Sequence, residues 1–155
     1  MSQYKTHSAF NCALLPFLIG AMVFFFNPTF KNVVYFSAAF LYGTFLMNPD
    51  LDMAKKIKLF SLRGFFSIPF RSYSYVFKHR GISHSVLLGT LTRVIWLFLF
   101  VLGILYIVYK KSVHQKDLVL FFNMYREMLI YVFFGLFTAD LGHLFLDKRL
   151  FKWKI

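Results

Sequence analysis

Four stretches of this chain are apolar for long enough to cross, or nearly cross, a lipid bilayer: residues 8–26, 32–47, 85–109 and 118–146. An α-helix rises ~1.5 Å per residue and the hydrocarbon core is ~30 Å thick, so about 20 residues make a span. Inside hydrocarbon every backbone N–H and C=O has to be satisfied within the protein, and for single apolar runs that means helix. The composition agrees: of 155 residues 59% are hydrophobic, 22% aromatic and only 15% charged, and 23 are Phe, a load that a water-soluble domain of this size has no room to bury. The expected fold is all-α, an integral-membrane antiparallel four-helix bundle. No Pro-, Gly- or Ser-rich linker divides the sequence, so residues 1–155 are expected to form one domain.

The breaks between the runs are equally informative. Asn27-Pro28 makes a turn between the first two helices. The second run is short. The fourth is long and is interrupted early by Arg126-Glu127, an interfacial anchor pair, so its spanning part is expected at residues 128–146, with residues 118–125 as an interfacial lead-in. Residues 48–83 form a basic, aromatic stretch with Lys55, Lys56, Arg63, Pro69, Phe70, Arg71, Tyr73 and Tyr75, which reads as an interfacial loop with amphipathic pieces lying on headgroups between helices two and three. The first run carries Asn11 and Pro16 and ends without a small-residue cleavage site, so it reads as a retained helix rather than a signal peptide. The single Cys12 lies inside that run, excludes an intramolecular disulfide and is expected to be a small packing residue. Gly20, Gly43, Gly89, Gly103, Gly135 and Gly142 are expected to permit close helix contacts.

A net charge of +12 would suit nucleic acid if it formed one patch, but the charges flank the apolar runs, where anionic headgroups attract them; nucleic acid is therefore not an expected partner, and membrane lipid is. Counting helix crossings, one side of the membrane holds the N-terminus, the long loop and the C-terminal tail, with Lys5, Lys55, Lys56, Lys58, Arg63, Arg71, Lys78, Arg80, Lys148, Arg149, Lys152 and Lys154. The loops of the other side hold Lys31, Lys110, Lys111 and Lys116. The positive-inside bias then predicts a multi-pass protein of the cell (inner) membrane with both termini in the cytoplasm.

In a chain with only 6 acids their positions matter: Asp50 and Asp52 follow the second helix, and Asp140 and Asp147 lie near the end of the fourth. His7 opens the first helix, His79 and His84 precede the third, and His143 lies between the two late aspartates; His114 stands apart as a solvated loop residue. An antiparallel bundle brings the starts of helices one and three beside the ends of helices two and four, so these groups converge on one face. Asp140, His143 and Asp147 follow at i, i+3 and i+7, one stripe of a helix. Ionisable groups at membrane depth are costly unless paired or coordinated, and a divalent cation would offset that cost. Imidazole nitrogens and carboxylate oxygens suit zinc first, then manganese or iron, and the number of candidates leaves room for two ions.

Each residue also has a simpler reading. Asp50 or Asp52 could close a turn after Pro49, His7 could sit among headgroups beside Thr6, Asn11 could be either a ligand or a buried polar contact, and Arg80 could meet either an anionic substrate or a headgroup. Gly81 permits a tight turn and Ser83 can cap the third helix, which makes His79 and His84 the most telling pair. Thr6-His7-Ser8 and Ser83-His84-Ser85 each open a hairpin ending in Pro49-Asp50-Leu51 or Ala139-Asp140-Leu141, a faint internal repeat.

The motifs Thr6-His7, Pro49-Asp50-Leu51-Asp52, His79-Arg80-Gly81-Ile82-Ser83-His84-Ser85 and Asp140-Leu141-Gly142-His143 with Asp147 resemble those of a family of small bacterial membrane proteins described as metal-binding proteins or metal-dependent hydrolases, over nearly the whole chain. Gly89-Thr90 with Arg93 resembles the metal-binding branch. The resemblance implies His7, Asp50, Asp52, His79, His84, Asp140, His143 and Asp147 as metal ligands. More distantly, His143-x-x-x-Asp147 is similar to the ligand spacing of zinc-dependent phospholipase C and the single-strand nucleases; this chain is shorter and lacks several of their ligands.

The function expected is a metal-dependent hydrolase acting on a phosphoester or lipid-associated substrate, with Asp52 as general base and Arg80 beside the substrate; the alternative is a non-catalytic metal-binding membrane protein. Topology is the first thing to test. Reporters placed near Arg63 and after Ile155 are expected in the cytoplasm and one near Ser112 outside; Arg63 and Ile155 on opposite sides would make a shared site impossible.

Overall fold

The computed structural model describes residues 2–47, 64–65, 67–76, 85–110 and 114–146. Among the described residues the protein is all-helical: α1 Ser2–Phe26, α2 Phe30–Phe45, α3 Ile68–Val76, α4 Val86–Tyr109, α5 Gln115–Met124 and α6 Arg126–Leu146. Three of these, α1, α4 and α6, are long and apolar enough to cross a membrane. The expectation of four spans is met only in part, because α2 has 16 residues, about 24 Å of helix, and falls short of a full hydrocarbon core.

Local sequence sets the helix ends. Asn27 takes a left-handed backbone (φ 43°) and its N–H reaches the Val23 carbonyl, ending α1. Pro28 follows, and the Thr29 hydroxyl accepts from the Asn32 N–H to start α2. α4 ends at Lys110, also left-handed. α1 runs straight through Pro16, as membrane helices can. The interruption foreseen at Arg126-Glu127 falls one residue earlier, at Tyr125, and both charged residues are exposed.

The closest packing joins α2 to α6. Ala39-x-x-x-Gly43 on α2 faces Gly135-x-x-x-Ala139 on α6, small residues one turn apart on both helices, which lets the backbones approach. Gly135 lies against Phe36, Ala39 and Phe40, whereas Gly43 lies against Leu136 and Ala139, so the two helices run in the same direction. α1 and α4 pack antiparallel to this pair. Met22 with Leu15 and Leu18 joins Phe36, Phe40 and Ala139, while Val94, Trp96 and Leu97 join Ala39, Met47 and Leu136. Gly43, Gly135 and Gly142 serve the close contacts expected of them; Gly20 and Gly103 have nothing within 4 Å. Cys12 is exposed rather than packed.

α3 corrects the picture of the loop between helices two and three. Its aromatic residues do not all lie on headgroups: Phe70 and Tyr73 are 0% exposed. Tyr73 stands edge-on to Trp96, its hydroxyl hydrogen-bonds the Thr92 hydroxyl at 3.1 Å, and the Trp96 indole N–H donates to the Pro69 carbonyl at 2.9 Å. A segment with buried aromatics gains more from docking on α4 than from remaining in the interface. Tyr75, by contrast, is exposed.

Close approach is the property to test. A Cβ at Gly135 would lie 2.5 Å from the Phe36 carbonyl oxygen, so Gly135→Ala has to push α2 off α6 and is expected to cost about 1–3 kcal/mol. Gly103→Ala meets open space and is expected to be neutral or to gain up to about 1 kcal/mol. Thermal unfolding in detergent distinguishes the two; equal effects would overturn the packing argument.

Candidate metal centre

The start of α1, the end of α2, the start of α4 and the end of α6 meet at one end of the molecule, the convergence expected from the order of the runs. α6 contributes Asp140 and His143, one helical turn apart, and both are buried. Asp140 is held from α4. Arg93 Nη2 donates to Asp140 Oδ2 at 2.5 Å and the Thr90 hydroxyl donates to the same oxygen at 2.5 Å. Arg93 is itself 1% exposed and is anchored by two further bonds, Nε to the Gly89 carbonyl at 2.9 Å and Nη1 to the Met47 carbonyl at 3.4 Å. A charge carried to this depth costs several kcal/mol unless it is paired and hydrogen-bonded, and the guanidinium fork meets both demands. The second carboxylate oxygen, Asp140 Oδ1, is buried and has no hydrogen-bond partner among the described residues.

One turn further along α6, His7 and His143 stack with ring centroids 4.2 Å apart and planes 22° from parallel. Next to them Asn11 ties three helices together. Its Nδ2 donates to the Thr44 hydroxyl at 3.1 Å and to the Ala139 carbonyl at 2.9 Å. Because a carbonyl only accepts, the Ala139 contact also sets which way the amide faces. Its Oδ1 lies where a side chain at position 142 would begin, so only glycine leaves room for it. Of the two readings open for Asn11, the buried polar contact is therefore present. Its Oδ1 has no hydrogen-bond partner among the described residues.

Of the ligands expected from the sequence, His7, Asp140 and His143 lie in this cluster. Asp50, Asp52, His79, His84 and Asp147, and with them Arg80, lie outside the described residues. Among the described residues, no three His, Cys, Asp or Glu side chains form a group able to hold a metal ion. His114 is exposed at the N-cap of α5, apart from the cluster. Sequence reasoning missed the hold of Arg93 and Thr90 on Asp140. The signal was present: Arg93 is the one charged residue in 85–109 and Asp140 the one carboxylate in 128–146, and opposite charges alone in facing apolar helices have strong reason to pair.

Comparison with known proteins adds the class of ligand. The family model described as uncharacterized metal-binding protein (DUF2227) matches residues 3–155. The chain belongs to this family. An uncharacterized protein of Aquifex aeolicus (strain VF5) is 38% identical over 64 residues, 40% of this chain and 43% of that protein, so the chain spans less than half the length of this curated relative. No solved structure matches it. Metal binding at the level of the family agrees with the kinds of donor gathered at this end, a buried carboxylate oxygen with no hydrogen-bond partner among the described residues and two stacked imidazoles, although these three side chains do not by themselves form a set able to hold an ion.

Pairing has a thermodynamic consequence. Asp140→Ala leaves the Arg93 guanidinium buried without its counter-charge and is expected to cost about 3–5 kcal/mol, whereas Arg93→Met combined with Asp140→Leu is expected to cost less than either single change. Unfolding of Asp140→Ala, Arg93→Met, Asp140→Leu and the double variant in detergent measures this; additive losses in the last three would show that the two residues do not depend on each other.

Proposed function

We propose that this membrane-embedded family member holds a divalent metal ion at the converging helix ends and uses it to hydrolyse a phosphoester on a lipid or other amphipathic molecule at the cytoplasmic headgroup level. The observation that carries the reading is the buried Asp140 Oδ1, lacking a hydrogen-bond partner among the described residues, one helical turn from the His7–His143 stack. Asp140, His143 and His7 would hold the ion together with donors drawn from Asp50, Asp52, His79, His84 and Asp147. Nitrogen and oxygen donors of this kind favour zinc, with manganese or iron next. Such an ion supplies Lewis acidity, which makes water a stronger acid and a phosphoester a better electrophile.

The chain's own residues divide the remaining work. Asp52, although among the ligand candidates, is the residue assigned to take the proton from the attacking water, because Asn48-Pro49-Asp50-Leu51-Asp52 offers two carboxylates where coordination needs one. Arg80 in His79-Arg80-Gly81 supplies a fixed positive charge for the anionic substrate, and Arg71 and Lys78 draw anionic amphiphiles to the same face. A second reading, a non-catalytic metal-binding membrane protein, is supported by the clamp on Asp140, since an ion bound to a carboxylate already locked to α4 would also fasten the helix ends.

Metal analysis of purified protein followed by a phosphodiesterase and phosphatase screen tests both readings. In the catalytic reading Asp52→Asn keeps its metal and loses about 10²- to 10⁴-fold in rate, whereas His84→Ala loses metal and activity together. Hydrolysis unchanged in Asp52→Asn removes it from the base role. A metal-loaded parent inactive on every phosphoester decides for the non-catalytic reading, and a parent that takes up no divalent metal overturns both.

A further inference from the structure

Both hydrogen bonds to Asp140 land on one oxygen. Thr90 and Arg93 are neighbours on one turn of α4, and each sends its donor to Oδ2 at 2.5 Å, while Oδ1, equally buried, is left without a hydrogen-bond partner among the described residues. A carboxylate free to turn would distribute its acceptors between such donors, because each oxygen has two lone-pair directions. Here it cannot turn. Arg93 is fixed at its other end by the Gly89 and Met47 carbonyls, and Thr90 is 0% exposed, so the donors stand still and the carboxylate plane follows them. Asymmetry of this kind is costly for a purely structural ion pair, which would do better with a two-pronged contact using both oxygens.

We propose that Thr90 and Arg93 are positioning residues that commit Asp140 to binding the metal ion through Oδ1 alone. The inference rests on the metal-binding reading above. Oδ2 is occupied by the two donors, and Oδ1 is the oxygen presented to a cation. The donors also withdraw negative charge from Asp140, so an ion bound here would be offered one carboxylate oxygen of moderate strength rather than a chelating pair. α4 thereby sets coordination geometry on α6 without supplying a ligand of its own. The same arrangement explains what Asp140→Asn would do. An amide nitrogen cannot accept from Arg93 or Thr90, so the amide oxygen has to take the Oδ2 place and an N–H₂ group, which has no lone pair to give, faces the ion.

Thr90→Val keeps the shape of the side chain and removes its hydroxyl, whereas Thr90→Ser restores the hydroxyl, so this pair avoids the folding risk of changing Arg93. The detergent-purified full chain is titrated with zinc and, separately, loaded with cobalt(II), whose visible absorption reports coordination geometry. Thr90→Val is expected to bind zinc about 10- to 100-fold more weakly and to shift the cobalt(II) bands, with the metal-free protein still folded and its thermal unfolding lowered only by the loss of one hydrogen bond. Thr90→Ser is expected to recover both affinity and spectrum, which a merely structural role would not require. Parent-like zinc affinity and cobalt(II) spectrum in Thr90→Val would overturn the inference while leaving metal binding standing. Metal retained in full by Asp140→Asn would overturn it as well. A parent that binds neither ion would end the metal-binding reading and this one with it.

Discussion

The contact of α2 on α6 is the constraint from which the rest of the structure follows. In hydrocarbon there is little hydrophobic drive to bring two apolar helices together, so the approach depends on van der Waals contact over a surface with nothing protruding. Ala39 and Gly43 on one helix and Gly135 and Ala139 on the other provide that surface. The pair runs parallel, and this places the end of α2 beside the end of α6, with Thr44 within reach of Asn11 and the Met47 carbonyl within reach of Arg93. Spread the two helices by the width of one methyl group and both contacts are stretched together.

Around that pair the polar groups divide by side. On the α1 side they are an amide shared by Thr44 and Ala139 and two stacked imidazoles. On the α4 side they are charged, a guanidinium and a carboxylate 2.5 Å apart with a hydroxyl on the same oxygen. Both sets lie near the helix ends, while the middles of α1, α4 and α6 and the far ends of α1 and α4 are apolar and carry exposed Phe, Leu, Ile and Val suited to lipid. Polar chemistry concentrated at one end of otherwise greasy helices is what a site reached from one side of a membrane requires, and it agrees with a family whose described property is metal binding.

The glycines show how far sequence reading goes. All of them look alike in a list of small residues in apolar helices, yet Gly43, Gly135 and Gly142 are filled against neighbours and Gly20 and Gly103 face open space. Nothing local distinguishes them, because the difference lies in which helix stands opposite. Arg93 and Asp140 are a harder lesson. They are 47 residues apart, and only the rule that a lone buried charge needs an opposite one connects them in the sequence. The basic aromatic stretch misled in part for a related reason: amphipathic aromatic segments suit both a membrane interface and a protein groove, and Trp96 with Thr92 on α4 decides for the groove in α3.

What the sequence determined by itself was the helical class, most ends of the apolar helices to within a few residues and the end of the molecule at which His7, Asp140 and His143 lie, because run length, turn residues and the order of crossings fix these without reference to neighbours. Only the tertiary structure decided that the tightest pair is the parallel one, that Asn11 joins α1 to α2 and α6, and that Asp140 gives one oxygen to α4 and keeps the other apart. Those outcomes depend on the rotation of each helix about its own axis. That rotation is set by the fit of small and large side chains across an interface, a property of two surfaces together that neither run contains alone.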